Sequence, residues 1–219
     1  MDSNLFPDYG FDFSAWEFES ELDSVIVPTF KAAYERLDAW QKEAEIEFQS
    51  LTDEQEISMA YSEFDFQDSM QRSRNRAIGA GALNWISSAM NSELTRLERH
   101  LEKGICAKPV SEKNQESWIT KTQTRFKEKF SIDFDNASVS FELVREIYLA
   151  RNALIHFDDP GAFDRYTKAI SNPRFVADDY SEMFVRFENF LASAKDSKRF
   201  IRWVFGEAKK LHSSKEGIS

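Results

Sequence analysis

The chain has 219 residues, 42% of them hydrophobic, with 20 Phe but only 7 Gly and 5 Pro, which suits one well-filled domain and argues against a β-rich fold that needs many more turn residues. The net charge of -10 argues against a general DNA binder, and no apolar run is long enough to cross a membrane. The one cysteine, Cys106, excludes an internal disulfide and suits a reducing compartment such as the cytoplasm.

The charge is uneven. Residues 1–70 hold 18 acidic and 3 basic residues, whereas residues 71–219 hold 20 acidic and 25 basic. The acidic segment reads as a solvated face kept for solubility, or as a shield over a nucleic-acid surface. The acidic N-terminus lacks the basic start and apolar block of a signal peptide. Asn136-Ala137-Ser138 therefore reads as a chance glycosylation sequon.

Residues 1–13 are aromatic and acidic without periodicity and are expected to form an irregular arm. Ser14 can cap a helix that begins at Ala15. Pro28 forces a kink or a new start, because it lacks an amide hydrogen and clashes inside a helix. Beyond it Phe30, Ala33, Tyr34, Leu37, Trp40, Ala44, Phe48 and Leu51 recur at three- and four-residue steps, one face of a long amphipathic helix. Thr52 and Gln55 form a capping box for the next helix, whose stripe is Ile57, Tyr61 and Phe64. Gly79 and Gly81 mark a break or a close helix crossing.

Leu83, Ile86, Met90, Leu94, Leu97 and Leu101 form the following stripe, ended by a left-handed cap at Gly104 with Pro109 beyond. Ser111 caps a shorter helix carrying Trp118, Ile119, Phe126 and Phe130, and residues 131–136 form a loop. Residues 138–156 form a helix with Leu143, Ile147, Ala150 and Leu154 on its core face, stopped by Asp158, Asp159, Pro160 and Gly161. A short helix covers 161–170, Asn172-Pro173 is a turn, and the last helix spans 179–211, with a flexible tail over 213–219. No tandem repeat or linker interrupts residues 14–212, so the expected fold is one all-α domain, an antiparallel multi-helix bundle.

Residues able to do chemistry are few. His100 lies in a highly charged helix end and is expected to be solvated; His212 lies where the last helix frays. His156 differs, because it closes a helix whose Arg145, Leu149, Asn152 and His156 share one narrow stripe at 100° per residue. The long arm of Arg151 can reach that stripe. One helix end thus gathers a guanidinium, an amide and an imidazole.

The segment Arg151-Asn152-Ala153-Leu154-Ile155-His156 resembles the signature of HEPN domains, an Arg followed four to six residues later by a His, often with Asn directly after the Arg. An Arg-Asn pair, three residues and a His is expected by chance roughly 0.01 times in such a chain. Glu146 matches an acidic residue found upstream of the Arg in that family. The resemblance implies an HEPN-like antiparallel bundle that forms a homodimer, with two motifs facing one cleft. It also implies a metal-independent endoribonuclease without cofactor, acting on RNA as a toxin or antiviral effector, under an antitoxin or other regulatory protein.

In that reading His156 moves a proton near neutral pH. Arg151 stabilises the charge of a phosphorane-like transition state, and Asn152 holds substrate or orients the imidazole. Arg145 and Glu146 support them. Some toxin members carry a modifiable Tyr two residues after the His; Asp158 stands there, so regulation by that route is not expected.

The remaining candidates are weaker. Arg72, Arg74 and Arg76 read as a solvated face or as phosphate contacts, and the same holds for Lys195, Lys198, Arg199, Arg202, Lys209 and Lys210. Asp133-Phe134-Asp135-Asn136 lacks the spaced Gly and closing Glu of a calcium loop. No phosphate-binding loop, zinc-ligand cluster or nucleophile elbow is visible, so no metal is expected. Arg151 and His156 also suit the negative end of a helix dipole without any catalysis. The alternative function is a catalytically inactive helical adaptor that binds a protein partner through its acidic N-terminal helices.

Overall fold

Pro28 shapes the first turn of the architecture. In the computed structural model, which describes residues 8–50, 54–104, 117–177 and 182–216, helix α1 (Asp8–Glu21) leads into a π turn over Leu22–Ile26 and then into α2 (Val27–Gln49). The Val27 N–H reaches back to the Leu22 carbonyl. This wider winding takes the preceding carbonyls out of the register in which the proline ring would strike one of them. Pro28 thus widens a helix rather than starting a new one.

The helix begins at Asp8, not at Ala15, so residues 8–13 are not an irregular arm. Ser14 is buried inside α1 and caps nothing. Phe11, Ala15, Phe18, Leu22 and Ile26 form a buried stripe at helical spacing. Phe13 and Trp16 stay exposed on the other side, and these extra aromatics blur the periodicity in the sequence.

Helix α3 (Glu54–Gly104) is continuous through Gly79 and Gly81. Of the two alternatives, break or crossing, Gly79 is a crossing: a Cβ there would stand 2.5 Å from Val185 Cγ2. The stripe Leu83, Ile86, Met90, Leu94, Leu97 and Leu101 is buried as expected. Thr52, Cys106, Pro109, Ser111 and Tyr180 lie outside the described residues, as do the side chains of Phe48, Gln55, Ile57, Tyr61 and Phe64.

Helix α4 (Trp118–Phe130) starts at Ser117, whose hydroxyl accepts from the Thr120 N–H, and ends at Ser131 in the left-handed region with φ 58°. After a short 3-10 turn at Phe134–Asn136 come α5 (Phe141–Ile155), α6 (Pro160–Ala169) and α7 (Phe187–Glu216). Helix α7 begins eight residues later than the apolar spacing suggests and runs to Glu216, into the stretch expected to be a flexible tail.

Before α7 the chain is extended. Val176 and Met183 form an isolated antiparallel bridge. Ala177 N–H donates to the Glu182 carbonyl at 2.9 Å, and Phe184 N–H to the Phe175 carbonyl at 3.1 Å. The Asn75 side chain on α3 bonds both backbone groups of Val185, at 3.0 and 3.1 Å. A side chain 110 residues away thus supplies the bonds that a helix would otherwise provide.

The result is an all-α bundle around one core that draws on every helix. An aromatic relay ties its C-terminal half: Phe134 meets Phe126 at 5.3 Å and Phe200 edge-on at 5.0 Å. Helix α1 lies on α7, with Asp12–Lys209 at 2.7 Å, Glu19–Arg202 at 2.6 Å and Asp23–Lys198 at 2.8 Å. Exposed pairs of this kind contribute little. The buried face of α1, worth about 1.5–3 kcal/mol for each large apolar side chain, is what fixes it. The N-terminal acids thus pair with three basic residues of α7, and α1 is part of the core rather than a removable shield.

Two glycines give opposite predictions. Gly79→Ala should lower stability by about 1–3 kcal/mol, because its methyl group must displace Val185. Gly206, inside α7 with nothing within 4 Å of its added Cβ, should gain about 0.5–1 kcal/mol as Ala. Urea denaturation of the two variants checks both; a neutral Gly79→Ala would mean a looser crossing.

Candidate functional site

Helix α5 is fastened to α3 by polar bonds along its length. Buried Tyr148 donates to Asn91 Oδ1 at 2.7 Å and to the Ser87 carbonyl at 3.3 Å. Its ring stacks on Trp118 at 5.9 Å. Burial pushes the Tyr148 hydroxyl well above its ordinary pKa, against the opposing charge of Arg151. It is therefore a neutral donor throughout the physiological range.

Nearly one turn further, Arg151 Nε donates to Asn84 Oδ1 on α3 at 2.9 Å, and its NH1 donates to Asn152 Oδ1 at 2.9 Å. Two amide oxygens hold the guanidinium without neutralising it, and its remaining N–H groups stay available. With its oxygen engaged, Asn152 keeps its amide nitrogen for another acceptor.

His156 caps the C-terminus of α5 with φ -104° and ψ 42°, its N–H donating to the Asn152 carbonyl at 3.0 Å. The residue is exposed, and none of the described residues hydrogen-bonds its ring. Ile155 and Phe157 on either side are also exposed, at 41% and 64%. Asp159 is already engaged: its carboxylate accepts from Arg165 NH2 at 2.5 Å and from the Gly161 N–H at 2.9 Å. These bonds, Arg165 first, hold its pKa below the usual carboxylate range, with His156 adding a smaller pull.

The other predicted residues are distributed unevenly. Arg76 lies 5.0 Å from the Phe157 ring and so reaches the edge of the motif. It also pairs with Glu182 at 3.5 Å, which takes Arg72 at 2.6 Å. Arg74 instead covers the Trp40 ring at 4.4 Å. Arg145 is partly exposed, two turns back from Asn152.

Glu146 does not join the motif. It is 1% exposed and accepts from the Tyr166 hydroxyl at 2.8 Å, the Arg174 N–H at 2.6 Å and Arg174 Nε at 2.5 Å. Arg174 continues to Asp196 at 2.9 Å and to the Leu143 carbonyl at 3.0 Å. This network clamps the segment after α6 onto α5 and α7. His100 and His212 are half-buried, their rings stacked at 6.1 Å with Phe11 edge-on to both. Burial, then the neighbouring His212 and Lys103, holds the His100 pKa below its ordinary value.

Sequence reasoning missed Asn84 and Asn91. They sit seven residues apart beside the apolar stripe of α3, a spacing that puts two amides on one face, and that spacing was the available signal. Among the described residues no three or more His, Cys, Asp or Glu side chains gather into a metal-binding group. No described helix is long and apolar enough to cross a membrane. Compared with family models, curated proteins and solved structures, the chain finds no match.

Stability separates the clamp from the motif. Glu146→Ala should cost about 1.5–3 kcal/mol, since it removes the buried carboxylate that joins Tyr166 to Arg174 while Asp196 still pairs with the guanidinium. Asn84→Ala should cost about 1 kcal/mol, because Arg151 can turn to water. Chemical denaturation reads both, and an unaffected Glu146→Ala would remove the clamp.

Proposed function

We propose that the protein is a metal-independent endoribonuclease of HEPN type, acting in the cytoplasm as a toxin or antiviral effector. The observation that carries this reading is Arg151, held by Asn84 and by Asn152, which stands one helical turn before an exposed His156. About 6 Å of helix rise separates Asn152 from His156, so both side chains can serve one phosphodiester. The RNA 2′-hydroxyl attacks phosphorus and the P–O5′ bond breaks, giving a 2′,3′-cyclic phosphate and a 5′-hydroxyl. His156 takes the proton from the 2′-hydroxyl or delivers one to the departing oxygen. Arg151 stabilises the charge on the non-bridging oxygens, while the Asn152 amide nitrogen holds one of them. Arg145 and Arg76 bind the flanking backbone.

Each chain offers one such histidine, while the reaction has two proton transfers. A homodimer supplies the second His156, and exposed Ile155 and Phe157 beside it offer an apolar seam for the partner copy. An antitoxin or other regulatory protein would act by covering this end of α5. The competing reading, an inactive adaptor, is favoured by exposed acids on α2 such as Asp38, Glu43, Glu45 and Glu47, which could receive a basic partner.

Incubation with total RNA in EDTA should give cleavage ending in cyclic phosphate. His156→Ala should lose roughly 10²–10⁴ in rate with an unchanged melting temperature. Arg151→Lys should remain clearly impaired because it lacks the planar fork, Asn152→Ala less so, and the effect of Arg145→Ala should shrink at high salt. Light scattering should give a dimer. Wild-type cleavage by His156→Ala, or activity lost in EDTA and restored by magnesium, would overturn the mechanism and leave the adaptor.

A further inference from the structure

Beyond Asn84, on the side away from Arg76, helix α3 carries a polar face. At roughly 100° per residue, Asn84, Ser88, Asn91, Thr95 and Arg99 fall within about 80° of its circumference. From Ser88 onward this face forms a groove of about 680 Å³, whose lining includes Ser88, Asn91, Ser92, Thr95, Arg99 and Lys103 and no carboxylate. Ser88, Ser92, Arg99 and Lys103 are exposed, and Asn91 and Thr95 are half-buried.

These groups offer donors. The Tyr148 hydroxyl occupies Asn91 Oδ1 at 2.7 Å, so the amide nitrogen is the end left for a ligand. Ser88, Ser92 and Thr95 add hydroxyls. Arg99 and Lys103 supply positive charge, and among the described residues no carboxylate pairs with either. The carboxylates bordering α3 here are engaged elsewhere, Glu17 and Glu93 by Arg96, Glu98 and Glu102 by Lys129. About 22 Å of helix separates Ser88 from Lys103, which suits an extended polyanion better than a single phosphate.

The near end of the groove selects the polyanion. Ser88 stands one turn from Asn84, which holds Arg151. Tyr148, bonded to Asn91, lies nearly one turn before Arg151 on α5. The groove therefore opens from the fixed guanidinium, while Arg76 lies about two turns to the other side along α3.

We propose that this groove is the track for the RNA backbone on one side of the scissile phosphate, with Arg76 on the other side. The proposal rests on the reading of the chain as one that acts on RNA. Phosphate oxygens accept from Arg99, Lys103, the hydroxyls and the Asn91 amide. Such contacts place the strand without reading its sequence.

The test is fluorescence anisotropy of a labelled single strand of RNA with the full chain carrying His156→Ala, in EDTA and over a range of salt. Adding Arg99→Ala and Lys103→Ala should weaken binding about tenfold and flatten the slope of log affinity against log salt by about 1–2. The melting temperature should not move, because both side chains are exposed. Arg36→Ala with Lys42→Ala removes the same charge from the exposed side of α2 and should leave affinity and slope unchanged. The proposal is overturned if the α3 pair binds RNA undiminished or if the α2 pair loses as much. It is also overturned if polyglutamate competes as well as unlabelled RNA, which would assign the groove to an acidic protein. Binding is read without cleavage, so the two claims separate. RNA held by Arg99 and Lys103 in a protein whose wild type never cleaves it would keep the groove and remove the nuclease. Cleavage by the wild type with undiminished binding by the α3 pair would remove the groove alone.

Discussion

Where α3 passes the segment leading into α7, the Val185 side chain packs so tightly on Gly79 that an added Cβ would stand 2.5 Å from Val185 Cγ2. One turn earlier, Asn75 bonds both backbone groups of Val185. This crossing sets the position of what lies on either side along α3. Arg72 and Arg76 fall on one side and meet Glu182. Asn84 falls on the other and meets Arg151. A helix that slid by one residue would carry Asn84 about 100° around the axis and release the guanidinium.

The motif and the clamp on α5 use similar groups in opposite ways, and burial decides which is which. Glu146 is enclosed, accepts three bonds and is matched by Arg174, so its chemistry is spent on holding the chain together. Arg151 is held by neutral amides and keeps its charge and part of its donor set. His156 is exposed at a helix end. Fixed cation, unspent amide and exposed imidazole are what phosphoryl chemistry requires. Helix α5 thus carries a structural carboxylate and the proposed reactive end less than three turns apart.

Much of this was legible in the residues. The stripes of α3 beyond Leu83 and of α5 follow the helical period because each packs one face only. The spacing of Arg151, Asn152 and His156 survives folding because the first two lie in the last turns of α5 and His156 is its C-cap. The first turns of α1, before the expected start at Ala15, are hidden because Phe13 and Trp16 on the helix's open side imitate a featureless aromatic run. The extended segment before α7 was misread because Met183, Phe184 and Phe187 fall at helical intervals, while the bonds that hold it extended come from Asn75, far away in sequence. Asn84 was overlooked for the same reason: its partner is 67 residues distant. The family resemblance sets Glu146 beside the motif, although its partners are Tyr166 and Arg174.

The most direct test is whether Asn84 and Arg151 act as one unit in RNA cleavage. Rates in EDTA should be measured for Asn84→Ala, Arg151→Ala and the double variant, with melting temperatures alongside. If Asn84 works by holding the guanidinium, each single change slows cleavage and the double variant is no slower than Arg151→Ala alone. Rate losses that simply multiply, or an Asn84→Ala protein that cleaves like the wild type, would contradict a catalytic Arg151 set in place by α3.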